Sequence, residues 1–179
     1  MAPDILIRGI ADFLVIPIVL IAAWALLFKV PKGQRFRAYS RVLMAGLTAY
    51  MFAKFIGTVY QPAELRPFEL LGVDPGAAYL DNPGFPSDHV LFITAIICAV
   101  WFETRMKRLT AVLIVLAVLV GIGRVLALVH TPLDVIGGVL IALLGAVWYS
   151  NEPRSVGKEH GHGKSHRRRT KHHRRPVVG

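Results

Sequence analysis

The sequence predicts an all-α integral-membrane bundle of about five transmembrane helices, followed by a disordered basic tail. Three observations carry that prediction. Of the 179 residues, 54% are hydrophobic. They gather into five runs, each near the roughly 20 residues that a helix needs to cross hydrocarbon. The charge is segregated: nine of the 21 Lys and Arg residues lie in residues 151–179, against only Glu152 and Glu159. A soluble basic nucleic-acid-binding domain is disfavoured, because the charge does not interleave with a core. The chain divides into a membrane-embedded body, residues 1–150, and a cytoplasmic, His-rich basic tail, residues 151–179. Cys98 is the only cysteine, which excludes a disulfide within the chain.

The first span is uncharged over residues 13–28 and extends back through Ile10 and Ile5, with Arg8 and Asp12 intruding. No small-residue cleavage site follows Phe28, so it reads as a span rather than a cleaved leader. The second, residues 42–60, is apolar except for Lys54. The third, residues 87–102, opens on Pro86-Ser87-Asp88-His89. The fourth, residues 109–129, carries only Arg124, and the fifth, residues 131–149, only Asp134. Gly121, Gly123, Gly137 and Gly138 lie inside spans, where small residues permit close helix contact. Trp24, Trp101, Trp148 and Tyr149 fall near span ends, as an interfacial belt would.

The connections orient the bundle. Lys29, Lys32, Arg35, Arg37 and Arg41 follow the first span, and Arg105, Lys107 and Arg108 follow the third. Residues 61–86 carry only Arg66 against Glu64, Glu69, Asp74 and Asp81. Basic connections stay in the cytoplasm. The protein is therefore expected to be a multi-pass plasma-membrane protein with its amino terminus and residues 61–86 outside.

Ionisable residues within spans are expensive and point to function. Under this topology Lys54, Asp88, His89, Arg124, His130 and Asp134 all fall toward the outer ends of their helices, where Arg66 can join them. His89 and His130 are the only two of the seven histidines outside the tail. Lys54, Arg66 and Arg124 suit an anion, guanidinium matching phosphate oxygens bidentately. Ser87 reads as a helix N-cap, behind which free N–H groups offer a phosphate seat. A neutral imidazole can attack phosphorus while a second protonates the leaving oxygen. Asp134 can orient the first through its other ring nitrogen. Asp134 also fits a purely local role, because Thr131-Pro132-Leu133-Asp134 has the form of a capped helix start. His89, His130, Asp88 and Asp134 could ligate a divalent ion. Three neighbouring cations favour a bound anion instead, so no metal or cofactor is expected.

These residues resemble the three signatures of the type 2 phosphatidic acid phosphatase superfamily, integral-membrane and metal-independent lipid phosphatases. The match runs through Lys54, Arg66-Pro67, Pro86-Ser87-Asp88-His89, Arg124, His130 and Asp134. The resemblance implies that His130 is a nucleophile forming a phosphohistidine, oriented by Asp134, and that His89 is the general acid. It implies that Lys54, Arg66, Ser87 and Arg124 hold the phosphate. The run Phe85-Pro86-Ser87-Asp88-His89 is similar to the bacterial undecaprenyl-pyrophosphate phosphatases of the bacitracin-resistance type. That similarity implies hydrolysis of undecaprenyl pyrophosphate to undecaprenyl phosphate, in service of cell-wall synthesis. The chain departs from the family pattern in four ways. Eleven residues separate Lys54 from Arg66, more than the first signature carries; Asp88 stands for the usual Gly; Gly123 stands for the usual Ser; and the body has one span fewer than is usual.

Phosphatidylglycerophosphate, phosphatidate or another isoprenoid phosphate would suit the same residues, and a lipid phosphotransferase differs only in its acceptor. From a different class, a non-catalytic transport protein could line its path with the same charges. The tail is expected to grip anionic headgroups rather than a specific nucleic acid. It has too little apolar surface to fold.

Overall fold

The computed structural model describes residues 2–62, 65–80, 82 and 84–150, so the tail lies outside the described residues. Those residues form α1 (Ala2–Arg8), a π turn (Gly9–Phe13), α2 (Val15–Lys29), α3 (Arg35–Val59), a short α4 (Pro67–Leu71), α5 (Asp88–Thr104), α6 (Lys107–Leu126) and α7 (Pro132–Gly145), with no strand among them. Four stretches are long and apolar enough to cross a membrane: Ile5–Lys29, Lys32–Val59, Lys107–Leu126 and Pro132–Tyr149. The remaining expected span, the third, is α5, whose 17 residues rise about 26 Å, the low end of the spanning range. α5 is the hub of the bundle and packs against α2, α3, α6 and α7.

Two spans begin or end differently from the hydropathy reading. α3 starts at Arg35, seven residues before the apolar run, because its early arginines find partners. Arg35 Nη2 donates to Leu27 O at 2.7 Å, and Arg41 pairs with Glu103 at 2.9 Å. The last span finishes as a 3-10 turn, Ala146–Tyr149. Tyr149 is not an interfacial anchor: it is buried, and its ring stacks on Phe102 at 4.9 Å and 3°. Trp24, Trp101 and Trp148 remain exposed, as a belt requires.

Packing follows the logic of a bundle in an apolar solvent, in which small residues face inward and large apolar ones face out. Every buried residue of α3 is alanine (Ala38, Ala45, Ala49, Ala53), while Leu43, Leu47 and Phe55 are exposed. The alanine stripe receives α7 so closely that a Cβ on Gly145 would collide with Ala45 O. The largest buried cluster joins Ile18, Ala22 and Ala25 of α2 to Ile93, Ile97 and Val100 of α5 and Leu113 and Val120 of α6. α6 and α7 touch little. They diverge from a shared junction, residues 127–131, and α5 floors the gap. An apolar groove of about 860 Å³ results, bounded by Val90 and Pro132 at one end and by Trp101 and Phe102 at the other.

Candidate active site

The polar residues meet at the end of the bundle where α3 and α6 finish and α5 and α7 begin. The α6–α7 junction is built first by its backbone. α6 stops at Ala127, and Leu128 turns the chain with φ +60°. That left-handed conformation is strained for a branched residue and must be imposed from outside. Residues 66–76 impose it by taking three consecutive carbonyls: Gly76 N donates to Ala127 O (3.0 Å), Phe68 N to Leu128 O (3.1 Å) and Arg66 Nη1 to Val129 O (2.6 Å). A Cβ on Gly76 would stand 3.0 Å from Ala127 Cα, so glycine is needed for that approach.

His130 emerges from this junction, 5% exposed. Its Nδ1 lies 3.6 Å from Asp134 Oδ2, just beyond hydrogen-bond range, and has no other partner. The same carboxylate caps α7. Asp134 Oδ2 accepts from Thr131 N at 2.7 Å, and Thr131 Oγ1 accepts from Asp134 N at 3.2 Å, with Pro132 in the first turn. The local and the orienting position of Asp134 therefore coexist. Burial, helped by the charges of Arg124 and Arg66, holds the His130 imidazole below its ordinary value against the opposing pull of Asp134.

Ser87 occupies the N-cap position of α5, as expected, but its hydroxyl makes no capping bond. The side chain is fully buried and Oγ has no partner. Ser87 N donates instead to Asp134 O (3.0 Å), locking the start of α5 to the start of α7. Gly137 and Gly138 allow that approach. A Cβ on Gly137 would collide with the Phe85 ring, and one on Gly138 would stand 2.8 Å from Ser87 O. His89, the second residue of α5, is half-buried at the same helix start.

The three cations are held differently from one another. Lys54 reaches the layer by pairing with both oxygens of Asp88, at 3.2 and 3.3 Å. Asp88 also accepts from Asn82 Nδ2 at 3.0 Å, and Asn82 Oδ1 accepts from Arg66 Nη2 at 3.0 Å. Arg66 is more committed than expected: beyond Val129 O and Asn82 Oδ1, its Nη2 bonds Leu80 O and Asn82 O, and it lies over the Tyr79 ring at 5.2 Å. Arg124 is 1% exposed. Its Nη1 donates to Asp12 Oδ1 (2.9 Å) and Ala78 O (2.7 Å), while its Nε is buried without a partner. Asn82 and Asp12 were not among the expected residues. Asp12 had a signal, an acid inside an apolar run, whereas Asn82 had none.

The layer thus holds cations, imidazoles and unpaired buried polar atoms in one place. Comparison with known proteins fits this arrangement. Residues 38–154, well over half of the chain, match the model of the PAP2 superfamily. The chain belongs to the PAP2 superfamily. Lys54, Arg66, Ser87, His89, Arg124, His130 and Asp134 all fall inside the matched residues; Asp12 does not. The chain is also similar to the undecaprenyl-diphosphatase BcrC of Bacillus subtilis (strain 168), with 28% identity over 127 residues, 71% of this chain. The match spans 62% of that relative, so this PAP2 chain corresponds to less than two thirds of its length. No solved structure matches the chain. The described residues of this PAP2 member form a bundle in which four helical stretches are long and apolar enough to cross a membrane.

Proposed function

We propose that this chain is a metal-independent membrane lipid phosphatase that hydrolyses undecaprenyl pyrophosphate to undecaprenyl phosphate through a phosphohistidine. The observation that carries the reading is the set of buried polar atoms without protein partners, Ser87 Oγ, Arg124 Nε and His130 Nδ1, beside the Lys54 and Arg66 charges. Buried polar atoms are rarely left unpaired, and a phosphate offers acceptors to the first two. The terminal phosphate sits against Arg124 and Ser87, with Lys54 adding charge from its pair with Asp88. Arg66 contributes charge while its N–H groups hold the junction.

With Nδ1 turned to Asp134, the His130 proton sits there and Nε2 carries the lone pair that attacks phosphorus. The bond to the bridging oxygen breaks, and His89 gives that oxygen a proton. Water, deprotonated by His89, then cleaves the phosphohistidine and releases inorganic phosphate. The groove between α6 and α7 begins at Pro132, two residues from His130, and it suits a hydrocarbon chain lying along α5. The basic connections favour an outward-facing site and a cytoplasmic tail.

The test is phosphate release by detergent-solubilised protein from a panel of lipid phosphates and pyrophosphates with EDTA present. Turnover of polyprenyl pyrophosphate that survives chelation is expected. Loss of activity on chelation overturns the metal-free route, and preference for a diacylglycerol phosphate overturns the substrate.

A further inference from the structure

We propose that Asp12 is a positioning residue that holds Arg124 by one nitrogen and so presents the opposite edge of its guanidinium to the phosphate. The inference rests on the phosphate-site reading above and adds to the site a residue from outside the matched family region.

Asp12 lies in the π turn Gly9–Phe13, where Leu14 N reaches back to Gly9 O. Such turns are rare and concentrate at functional sites. Its carboxylate makes two bonds across the fold: Oδ1 accepts from Arg124 Nη1, 112 residues away, and Oδ2 accepts from Ala78 N at 2.9 Å. Ala78 O closes the triangle on the same Arg124 Nη1. Arg8 is a remote second cation, 4.0 Å from Asp12 Oδ2 and largely exposed. Among the described residues, both bonds made by Arg124 leave through Nη1. The edge formed by Nε and Nη2 carries two parallel N–H donors, the fork that binds two oxygens of one phosphate. Asp12 and Ala78 therefore fix the guanidinium by the corner that phosphate does not need.

Gly123 belongs to the same device. A Cβ there would stand 2.9 Å from Ile10 Cγ2 and 3.0 Å from Ala11 N. A side chain on Gly123 would push the π turn away and withdraw Asp12 from Arg124. The glycine that stands where the family resemblance leads one to expect serine is thus the space that Asp12 requires.

The experiment is a double-mutant cycle read by orthovanadate, a phosphate analogue, through its effect on the thermal unfolding midpoint of the full chain in detergent. Asp12→Asn keeps the size of the side chain, and Gly123→Ser reaches the same contact without touching a charge. Each is expected to weaken vanadate affinity about tenfold with Arg124 present, and by less than about twofold on an Arg124→Ala background. A merely structural role would give the same loss on both backgrounds. Unchanged or tighter binding in Asp12→Asn overturns the proposal, as does an equal loss on both backgrounds. If the unsubstituted protein shows no vanadate effect, the phosphate reading fails and takes this inference with it.

Discussion

The two ends of the bundle each bury an ion pair, yet only one of them has the makings of a site. At one end Arg41 Nη2 meets Glu103 Oε2 at 2.9 Å, with side chains 15% and 4% exposed. At the other, beside His130 and Ser87, Arg124 meets Asp12 at the same distance, with 1% and 17% exposed. Both pairs leave a nitrogen unpartnered, Arg41 Nε and Arg124 Nε. Burial and pairing therefore do not separate them, and a buried pair alone is weak evidence for any role. Their company does. Arg41 and Glu103 join two helices beside Phe102, Tyr149 and Cys98, and neither body histidine, His89 or His130, lies at that end. The Arg124–Asp12 pair stands at helix ends with two imidazoles, a buried hydroxyl and a carboxylate, where backbone hydrogen bonds tie the starts of α5 and α7 together. Chemistry collects where helices stop, because only there do free backbone groups and short connections converge.

The sharpest way to break the comparison is at His130. His130→Ala should lower kcat/KM for a lipid phosphate by about 10⁴-fold or more, the scale of removing a nucleophile. The unfolding midpoint should change little, since the ring makes no full hydrogen bond. Phosphate release by purified variant, with unfolding followed in parallel, checks this. A loss under tenfold would remove His130 from the chemistry.

The next effect concerns pH and Asp134. Attack requires neutral imidazole, and the His130 pKa is depressed by burial and by the Arg124 and Arg66 charges. Activity should therefore be full above that depressed value and fall as pH drops through it, with the acid limb of kcat/KM below the ordinary imidazole value of about 6.5. Asp134 is the neighbour whose carboxylate, 3.6 Å from Nδ1, favours protonation. Asp134→Asn should move the limb further toward acid while reducing the rate by about 10²- to 10⁴-fold. A limb at or above pH 6.5, or one that moves upward in the variant, contradicts the assignment.

Much of this layer was legible in the sequence, and what was not has a common cause. The spans follow from hydropathy, and the start of α7 from Thr131, Pro132 and Asp134, since capping is local and each residue's partner lies within four positions. The convergence of Lys54, Ser87, Arg124 and His130 follows once helix direction is known. The partners of those charges do not follow. Asp12 and Arg124 are 112 residues apart, and Lys54 and Asp88 are 34 apart; which acid meets which cation depends on helix rotation, to which composition is blind. The commitment of Arg66 to four backbone and amide acceptors was hidden for the same reason. Tyr149 misled because a tyrosine at a span end looks the same whether it faces headgroups or the ring of Phe102.

Lys54 should show a smaller effect. Its side chain is 44% exposed and its ammonium is already shared with Asp88, so screening limits what it adds. Lys54→Ala should raise KM by about three- to tenfold and leave kcat within about twofold. Asp88→Asn should release Lys54 and raise KM less than Lys54→Ala does. A kcat loss beyond tenfold in Lys54→Ala would instead put Lys54 at the reacting phosphate.

The smallest expected effect on turnover comes from the Arg41–Glu103 pair, and it bears most directly on the comparison. Glu103→Ala leaves the Arg41 guanidinium buried without its acid, which costs about 3–5 kcal/mol in stability. Arg41→Leu combined with Glu103→Leu removes both charges, and the fold should recover most of that loss because apolar residues replace buried pairs well. Turnover per folded molecule should stay within about twofold of the unsubstituted protein in both variants. Among the described residues the Arg41–Glu103 pair bonds no group of the polar layer, and α5 carries no charged side chain between His89 and Glu103. Denaturation midpoints and active-fraction-corrected rates measure the two quantities separately. If the double-leucine protein folds but loses its activity, the ends are coupled through α5, and the polar layer is then one half of a device that spans the bundle.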